Sequence, residues 1–370
     1  MGLSRNFSAG PGALPLTVLQ QAQQAVLELP GTGISILGLS HRSTRFRAML
    51  EEAEERLRRL LQLPPSYRVL FLQGGGTLQF SMVPLSLLQK GSVADYVVSG
   101  YWSRKAIEAA RYHGEVRSAW SGAASGYRHL PRSDERVGND DAAYLHYVSN
   151  ETVEGLQFRY LPVTAAPLVC DMSSDFLSRP LDVQRFSLVY AHAQKNFGPA
   201  GVTVALVKEE VLAKAPRGLP PILDYRAHVE AGSLLHTPPV FAIYVVLLVL
   251  RWLEDEVGGL PQMAKATAEK SAQVYAALDD SNGFYRAHPE PTWRSEMNVA
   301  FRCPTPELEA RFLADAAAAG MIGMEGHRSV GGLRVSLYNG VTREDARVAA
   351  TFMREFAAVH RDDAYERAVE

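Results

Sequence analysis

One lysine, Lys195, stands in the stretch AHAQKNFGPAG (191–201). Between Arg185 and Lys208 there is no other Lys, Arg, Asp or Glu, and His192 is the sole histidine. The flanks FSLVY and GVTVALV read as buried strands. An ammonium is expensive to desolvate, so most lysines keep their heads in water. A lysine in apolar surroundings has its pKa pushed down, because desolvation disfavours the charged form. The neutral amine is a nucleophile able to form a Schiff base with an aldehyde. A snorkelling or ion-paired lysine would show the same local pattern.

Other chemically apt residues lie at similar junctions. Asp171 directly follows the apolar run LVC, at the carboxyl end of a strand, where open α/β sheets place their ligands. It can face Lys195 across one crevice and hold the protonated ring nitrogen of pyridoxal phosphate; capping the next turn is its plainer use. QGGGT (73–77) is a glycine turn between a strand and a helix, with bare amides and a helix dipole suited to phosphate. It is neither a Walker loop nor a G-x-G-x-x-G fingerprint, and a tight structural turn has the same spelling. Trp102, after YVVSGY, can stack on a flat ring or pack in a core. The tripeptide HRS occurs twice, at 41–43 and 327–329, with Arg334 close behind the second. Arginine forks with histidine as an added donor suit carboxylate or phosphate, and a solvated pair would look alike.

The elements that must position these residues alternate. Ser43 or Thr44 caps a helix whose apolar positions 46, 49, 50, 53, 57, 60 and 61 follow the 3.6 period. Strands are expected at 67–73, 95–100, 143–150, 166–172, 186–192 and 201–207, with helices from 78 and 102 between them. VFAIYVVLLVL (240–250) is too short to span a bilayer and reads as a buried core helix starting after Pro238 and Pro239. The composition shifts after about Glu256, where a long helix, two isolated strands (MNVAFRC, GLRVSLY) and a helix begun by Thr342 with Asp345 suggest a smaller α+β unit. RDDAYERAVE at the end is expected to fray. The expected fold class is therefore α/β: a large domain (16–255) with a mostly parallel central sheet flanked by helices, plus a small α+β domain formed by 256–370 with segment 1–15.

Composition excludes other classes. The chain has 370 residues, 47% hydrophobic and 21% charged, with a net charge of −2. That balance gives no electrostatic reason to expect nucleic acid or a membrane as partner. Two cysteines, Cys170 and Cys303, make no disulfide framework. No signal peptide is evident in MGLSRNFSAGPGALP, and a cytoplasmic location is expected.

The motifs NFSAGPGALP, SHRS, FLQGGGT, DYVVSGYWS, SNETVEG, CDMSSDFLSRP, AQKNFGPAGVTV, TPPVFAIYV and GHRSVGGLRVSLYNGV resemble, in order and nearly along the whole chain, the phosphoserine aminotransferase family. The resemblance implies a homodimeric fold-type I enzyme with pyridoxal 5′-phosphate as cofactor and active sites shared between subunits. It implies the reaction 3-phosphooxypyruvate + L-glutamate ⇌ O-phospho-L-serine + 2-oxoglutarate in serine biosynthesis, and in bacterial relatives a role in vitamin B6 synthesis through 4-phosphooxy-L-threonine. It makes Lys195 the Schiff-base lysine, with Gln194 beside it, Asp171 the partner of the ring nitrogen, Trp102 the stacking residue and Thr152 a donor to the ring oxygen. Gly76 and Thr77 would hold the cofactor phosphate, with His236 and Thr237 reaching it from the other subunit. His41, Arg42, His327, Arg328 and Arg334 match positions that hold substrate phosphate and carboxylates. His236 and His192 depart from the family pattern, His192 standing where a small residue is usual. Two rival classes stay open: another fold-type I enzyme, such as a desulfurase or decarboxylase, and a non-catalytic α/β binding protein.

Overall fold

The runs VLFL, YVV, LVC, LVYA and VALV are β-branched, apolar and short, which favours strands over helices. In the computed structural model, which describes residues 3–366, each lies in one seven-stranded sheet. Its order is Tyr67–Leu72, Thr203–Lys208, Phe186–His192, Leu168–Asp171, Leu145–Val148, Val93–Val98 and Glu115–Ser121. The last five strands run parallel, while Thr203–Lys208 is antiparallel to both neighbours. The α/β fold with a mostly parallel sheet is as the residue pattern predicts.

Alternation along the strands separates two apolar layers. Val69, Phe71, Cys170, Val189, Ala191, Val204 and Leu206 face one side, under the helices Thr44–Leu61 and Val240–Arg251. Leu70, Leu72, Val169, Leu188, Tyr190, Ala205 and Val207 face the other, under Gly75–Leu87 and Tyr101–Ala110. Residues 242–250 are all buried, so the uncharged run 240–250 is a core helix. Ser43 Oγ accepts the Phe46 amide at 3.2 Å and starts Thr44–Leu61. That helix is tied to the end of the core helix by Glu52 with Arg251 (2.5 Å) and by Arg56 with Glu254 (2.6 Å). The strand Glu115–Ser121 carries no expectation from the sequence; it is an edge strand of exposed and half-buried residues, and its EVRSAWS pattern lacks a clean apolar face.

A second antiparallel sheet joins Arg286–Ala287, Asn298–Arg302 and Leu333–Ser336. Arg5–Asn6 pairs with Met321–Ile322, which brings the start of the chain to this region. The helices Leu260–Asp279, Pro306–Ala318 and Arg343–Glu366 accompany it, and Phe7, Val274, Phe284, Phe301, Phe312, Val335 and Met353 form a separate apolar cluster. Thr342 and Asp345 cap the last helix reciprocally: Asp345 Oδ2 accepts the Thr342 amide at 3.1 Å, and Thr342 Oγ1 the Asp345 amide at 3.0 Å. Of the tail expected to fray, residues up to Glu366 are helical, because neither Gly nor Pro follows Gly340 to stop the helix. Residues 367–370 lie outside the described residues.

Candidate active site

Five strands, Tyr67–Leu72, Val93–Val98, Leu145–Val148, Leu168–Asp171 and Phe186–His192, release candidate residues at the same edge of the sheet. Tyr67–Leu72 runs into the turn 73–76, where Gly74 and Gly75 have φ of 89° and 67°, a left-handed conformation that favours glycine. The first helical hydrogen bond is donated by Leu78 to Gly74 O. The amides of Gly75, Gly76 and Thr77 therefore have no helical acceptor and form the positive end of a 13-residue helix. An added Cβ at Gly76 would stand 3.4 Å from Asp171 Oδ2, which places that carboxylate beside the turn.

Asp171 is the last residue of Leu168–Asp171 and is 5% exposed. Its Oδ1 accepts the Ser173 amide at 2.8 Å, while Oδ2 is turned to Gly76. Burial pushes its pKa above the usual carboxylate range, against the pull of the Lys195 charge. Lys195 follows Phe186–His192, and its Nζ lies 4.8 Å from the centroid of the Trp102 ring. Burial pulls the ammonium below the ordinary lysine value, opposed by Asp171 and Glu151. An aromatic face, a desolvated amine, a buried carboxylate and a helix end with free amides thus share one crevice.

Trp102 is fixed at both ends by one loop. Its indole Nε1 donates to Thr152 Oγ1 at 2.8 Å, and its amide donates to Glu151 Oε2 at 2.9 Å. Arg334, on Leu333–Ser336, donates from Nη1 to Thr152 O at 2.9 Å; its buried Nε has no partner among the described residues. The His327 ring lies 4.6 Å from that of Tyr101, so the second HRS loop borders the same crevice. Arg328 is exposed beside it.

The lysine turn is braced from remote parts of the chain. The Gly12 amide donates to Gln194 O at 2.7 Å, and the Asn339 amide to Asn196 Oδ1 at 2.8 Å. Tyr338 OH donates to Ala9 O at 2.8 Å. Lys270 is buried and donates to Leu337 O, Tyr338 O and Val341 O at 2.9, 2.8 and 3.0 Å, holding the segment that carries Asn339.

His192 lies under the glycine turn. Its ring is 3.8 Å from the position of a Cβ on Gly75, its Nδ1 pairs with Thr203 Oγ1 at 3.1 Å, and its amide donates to Ser173 Oγ at 3.2 Å. Burial, then the Lys195 charge, holds it below the ordinary histidine value. His41 and Arg42 sit in the turn before Thr44–Leu61, and His236 lies 6.3 Å from the His228 ring. Among the described residues, no hydrogen bond, ion pair or ring contact joins His41, Arg42, His236 or Thr237 to Lys195, Asp171 or Trp102. Sequence reasoning passed over Glu151, Glu154, Ser173, Asn196, Asn339 and Lys270; the first two were in view in SNETVEG but look like ordinary solvated acids.

Residues 5–348 match the family model for class-V aminotransferases. The phosphoserine aminotransferase of Laribacter hongkongensis is 49% identical over 355 residues, 96% of this chain and 99% of that protein. The solved phosphoserine aminotransferase from Bacillus circulans subsp. alkalophilus superposes with a TM-score of 0.94 at 46% identity, over 96% of this chain and 99% of that one. The enzyme of Trichomonas vaginalis, solved with pyridoxal phosphate bound, gives 0.89 at 36% identity, over 95% and 99%. With a crevice of this composition at the carboxyl edge of the sheet, and similarity along nearly its whole length, the chain belongs to the class-V aminotransferases and, within them, to the phosphoserine aminotransferase family.

Proposed function

We propose that this chain transfers the amino group of L-glutamate to 3-phosphooxypyruvate, giving O-phospho-L-serine and 2-oxoglutarate, in the crevice around Lys195. The observation that carries the reading is Lys195 Nζ, 4.8 Å from the Trp102 ring centroid, beside buried Asp171 and the free amides of the 74–77 turn.

The residues present fit pyridoxal phosphate, the cofactor of these aminotransferases. The turn with Gly76 and Thr77 offers amides to a phosphate, Trp102 offers a face to a ring, and Thr152 a hydroxyl. Asp171 Oδ2 offers a negative charge to a protonated ring nitrogen, and Lys195 an amine to an aldehyde. Bound there, the cofactor supplies an electron sink for the carbanion at the substrate's α-carbon. Lys195 Nζ, favoured as a neutral amine by its desolvation, takes the proton from glutamate's α-carbon and in the return half delivers one to the α-carbon of the phosphorylated product. Arg334, anchored on Thr152 O, presents its remaining donors to a substrate carboxylate. Arg328 offers a charged fork and His327 an added ring donor, which suits a site that must take both a γ-carboxylate and a phosphate.

We take the enzyme to be a homodimer in which His236 and Thr237 reach the cofactor phosphate of the second copy, with His41 and Arg42 among the residues that hold substrate phosphate and carboxylates, as membership of the family implies. A separate apolar cluster of Phe7 with residues from Val274 to Ala357 supports a small domain built from the later part of the chain and its N-terminal segment, beside a large domain, while Leu260, Met263 and Ala266 pack in the large domain's core and favour a boundary inside the helix Leu260–Asp279 over one at 255/256. Among the described residues no helix is long and apolar enough to cross a membrane, and we place the enzyme in cytoplasmic serine biosynthesis.

A coupled assay with glutamate and each candidate keto acid tests the reading. Turnover with 3-phosphooxypyruvate, and little with pyruvate, is expected. The keto acid of 4-phosphooxy-L-threonine in the same assay measures the second role. A protein that stays colourless with added pyridoxal phosphate, or that prefers unphosphorylated keto acids, overturns it.

A further inference from the structure

The mechanism above makes no use of two buried carboxyl groups beside the crevice. Glu151 and Glu154 are 1% and 5% exposed. Glu151 Oε1 accepts the Ser103 amide at 2.9 Å and the Ser99 hydroxyl at 3.3 Å, and Oε2 accepts the Trp102 amide at 2.9 Å. Glu154 Oε1 accepts the Tyr101 amide at 2.9 Å, while Oε2 is buried with no partner among the described residues. The first three amides of Tyr101–Ala110 are thus all held by a loop some fifty residues further along the chain. The two groups crowd one spot: a Cβ on Gly100 would stand 2.5 Å from Glu154 Oε2 and 2.8 Å from Glu151 Cδ.

Two carboxylates in one dry place do not both ionise, because each charge loses its water and repels the other. Glu151 collects three donors at a helix N-terminus and is the better site for the charge. Burial and the Glu151 charge push Glu154 up to about 8. The charges acting on the pair include Arg104 on the helix Tyr101–Ala110, Arg334 on Leu333–Ser336, Asp171 at its strand end and Lys195 on its turn, and Glu154 also lines a pocket with Arg128, Arg286, His288 and Arg302.

We propose that Glu151 and Glu154 form a one-proton pair that positions Trp102 and Thr152 against Lys195. The loop that holds the amide of Trp102 also carries Thr152, which accepts the indole N–H, so one element fixes both the backbone and the ring plane. The proposal rests on the reading of Trp102 and Thr152 as cofactor contacts. Its pH dependence has a definite sign. Glu154 is raised in the fold, so its contribution is complete below about 4.5 and is lost as pH rises through about 8. Above that, a second charge pushes the pair apart and loosens the first turn of the helix.

The test compares wild type, Glu154→Gln and Glu151→Gln by two readouts. One is hydrogen exchange of the amides 101–103 in the cofactor-free protein, and the other is the dissociation constant of pyridoxal phosphate from pH 6.5 to 9.5. Wild type should lose affinity above pH 8, by up to about tenfold per pH unit, beyond whatever loss Glu154→Gln shows. Glu154→Gln, neutral at every pH, should hold within about threefold of wild type at pH 7, and Glu151→Gln should bind at least about tenfold more weakly and exchange its 102 and 103 amides faster. Identical pH profiles for wild type and Glu154→Gln overturn the proposal. Should Glu151→Gln fail to fold, that comparison decides alone. A wild-type chain that binds no pyridoxal phosphate fails the functional reading instead, and exchange at 101–103 still reports on the pair.

Discussion

Replacing Gly12 by alanine drives a methyl group into the carbonyl of the lysine turn. The added Cβ would stand 2.3 Å from Lys195 O and 2.6 Å from Tyr338 Cδ2, roughly 1 Å inside ordinary contact. Neither side yields easily. The Gly12 amide donates a hydrogen bond to Gln194 O at 2.7 Å, and Tyr338 is buried with its hydroxyl donating to Ala9 O at 2.8 Å. Overpacking of this kind costs about 1–3 kcal/mol. For a chain of this length the unfolding entropy is about 0.8 kcal/mol per kelvin, so the midpoint should fall by only about 1–4 °C. Displacing the reacting amine by about 1 Å is a larger matter for catalysis, on the order of a hundredfold in turnover. The assay is saturating turnover beside a thermal melt of the cofactor-loaded enzyme. A variant within threefold of wild-type turnover would refute the reasoning, since either the contact does not hold the turn or Lys195 does not move the proton.

Other changes separate chemistry from scaffold. Lys195→Ala should fold with a near-wild-type melt and lose the visible absorption that pyridoxal phosphate gives to the wild type; retained absorption at the same wavelength would place the aldehyde on another amine. Arg328→Ala should raise KM for the phosphorylated keto acid by about tenfold or more while leaving the dissociation constant of pyridoxal phosphate within threefold, because the lost interaction is a charge-assisted bond to substrate. Equal losses would mark Arg328 as structural. Glu52 is held down to about 2, first by its hydrogen bond to Arg251. A depressed carboxylate stabilises above about 4.5 and loses that contribution as pH falls through about 2. Glu52→Gln should therefore lower the urea midpoint at pH 6 by an amount equivalent to about 0.5–1 kcal/mol, the site being largely solvent-screened, with the gap narrowing at pH 3.5. A gap that widens on acidification contradicts the assignment.

Apolar periodicity made most of the large sheet legible. The strands that carry Asp171 and Lys195 are buried on both faces, so their residues form near-continuous hydrophobic runs, and a lone charge at the end of such a run stands out. The helix at 240–250 was legible for the same reason. Glu115–Ser121 was hidden because an edge strand with half its surface in water has little pattern to show. Glu151 and Glu154 were hidden for the opposite reason: nothing in SNETVEG distinguishes a buried acid from a solvated one until the amides of Tyr101, Trp102 and Ser103 arrive from elsewhere in the chain. Lys270 illustrates the same limit. It sits in a helix with polar neighbours, and its three carbonyl acceptors lie about seventy residues later. His192, which stands where a small residue is usual, lies under the glycine turn, where it packs and pairs with Thr203 Oγ1 and burial holds it below the ordinary histidine value.

The bracing of the lysine turn also fixes when the site comes into being during synthesis. The strands from Tyr67 to Lys208 can pair and bury their shared core once the middle of the chain has left the ribosome. The turn at Lys195 then has Asn196 Nδ2 on Phe176 O at 2.7 Å, but Asn196 Oδ1 still lacks the Asn339 amide, and the segment that carries Asn339 lacks its support from Lys270, because both are made well after the turn. Gly12, made first, waits beside Gln194 for Tyr338 to close over it. A nascent chain therefore carries Lys195 without its complete bracing until about 140 further residues have been added, and the finished geometry of the turn waits for Asn339 and Tyr338.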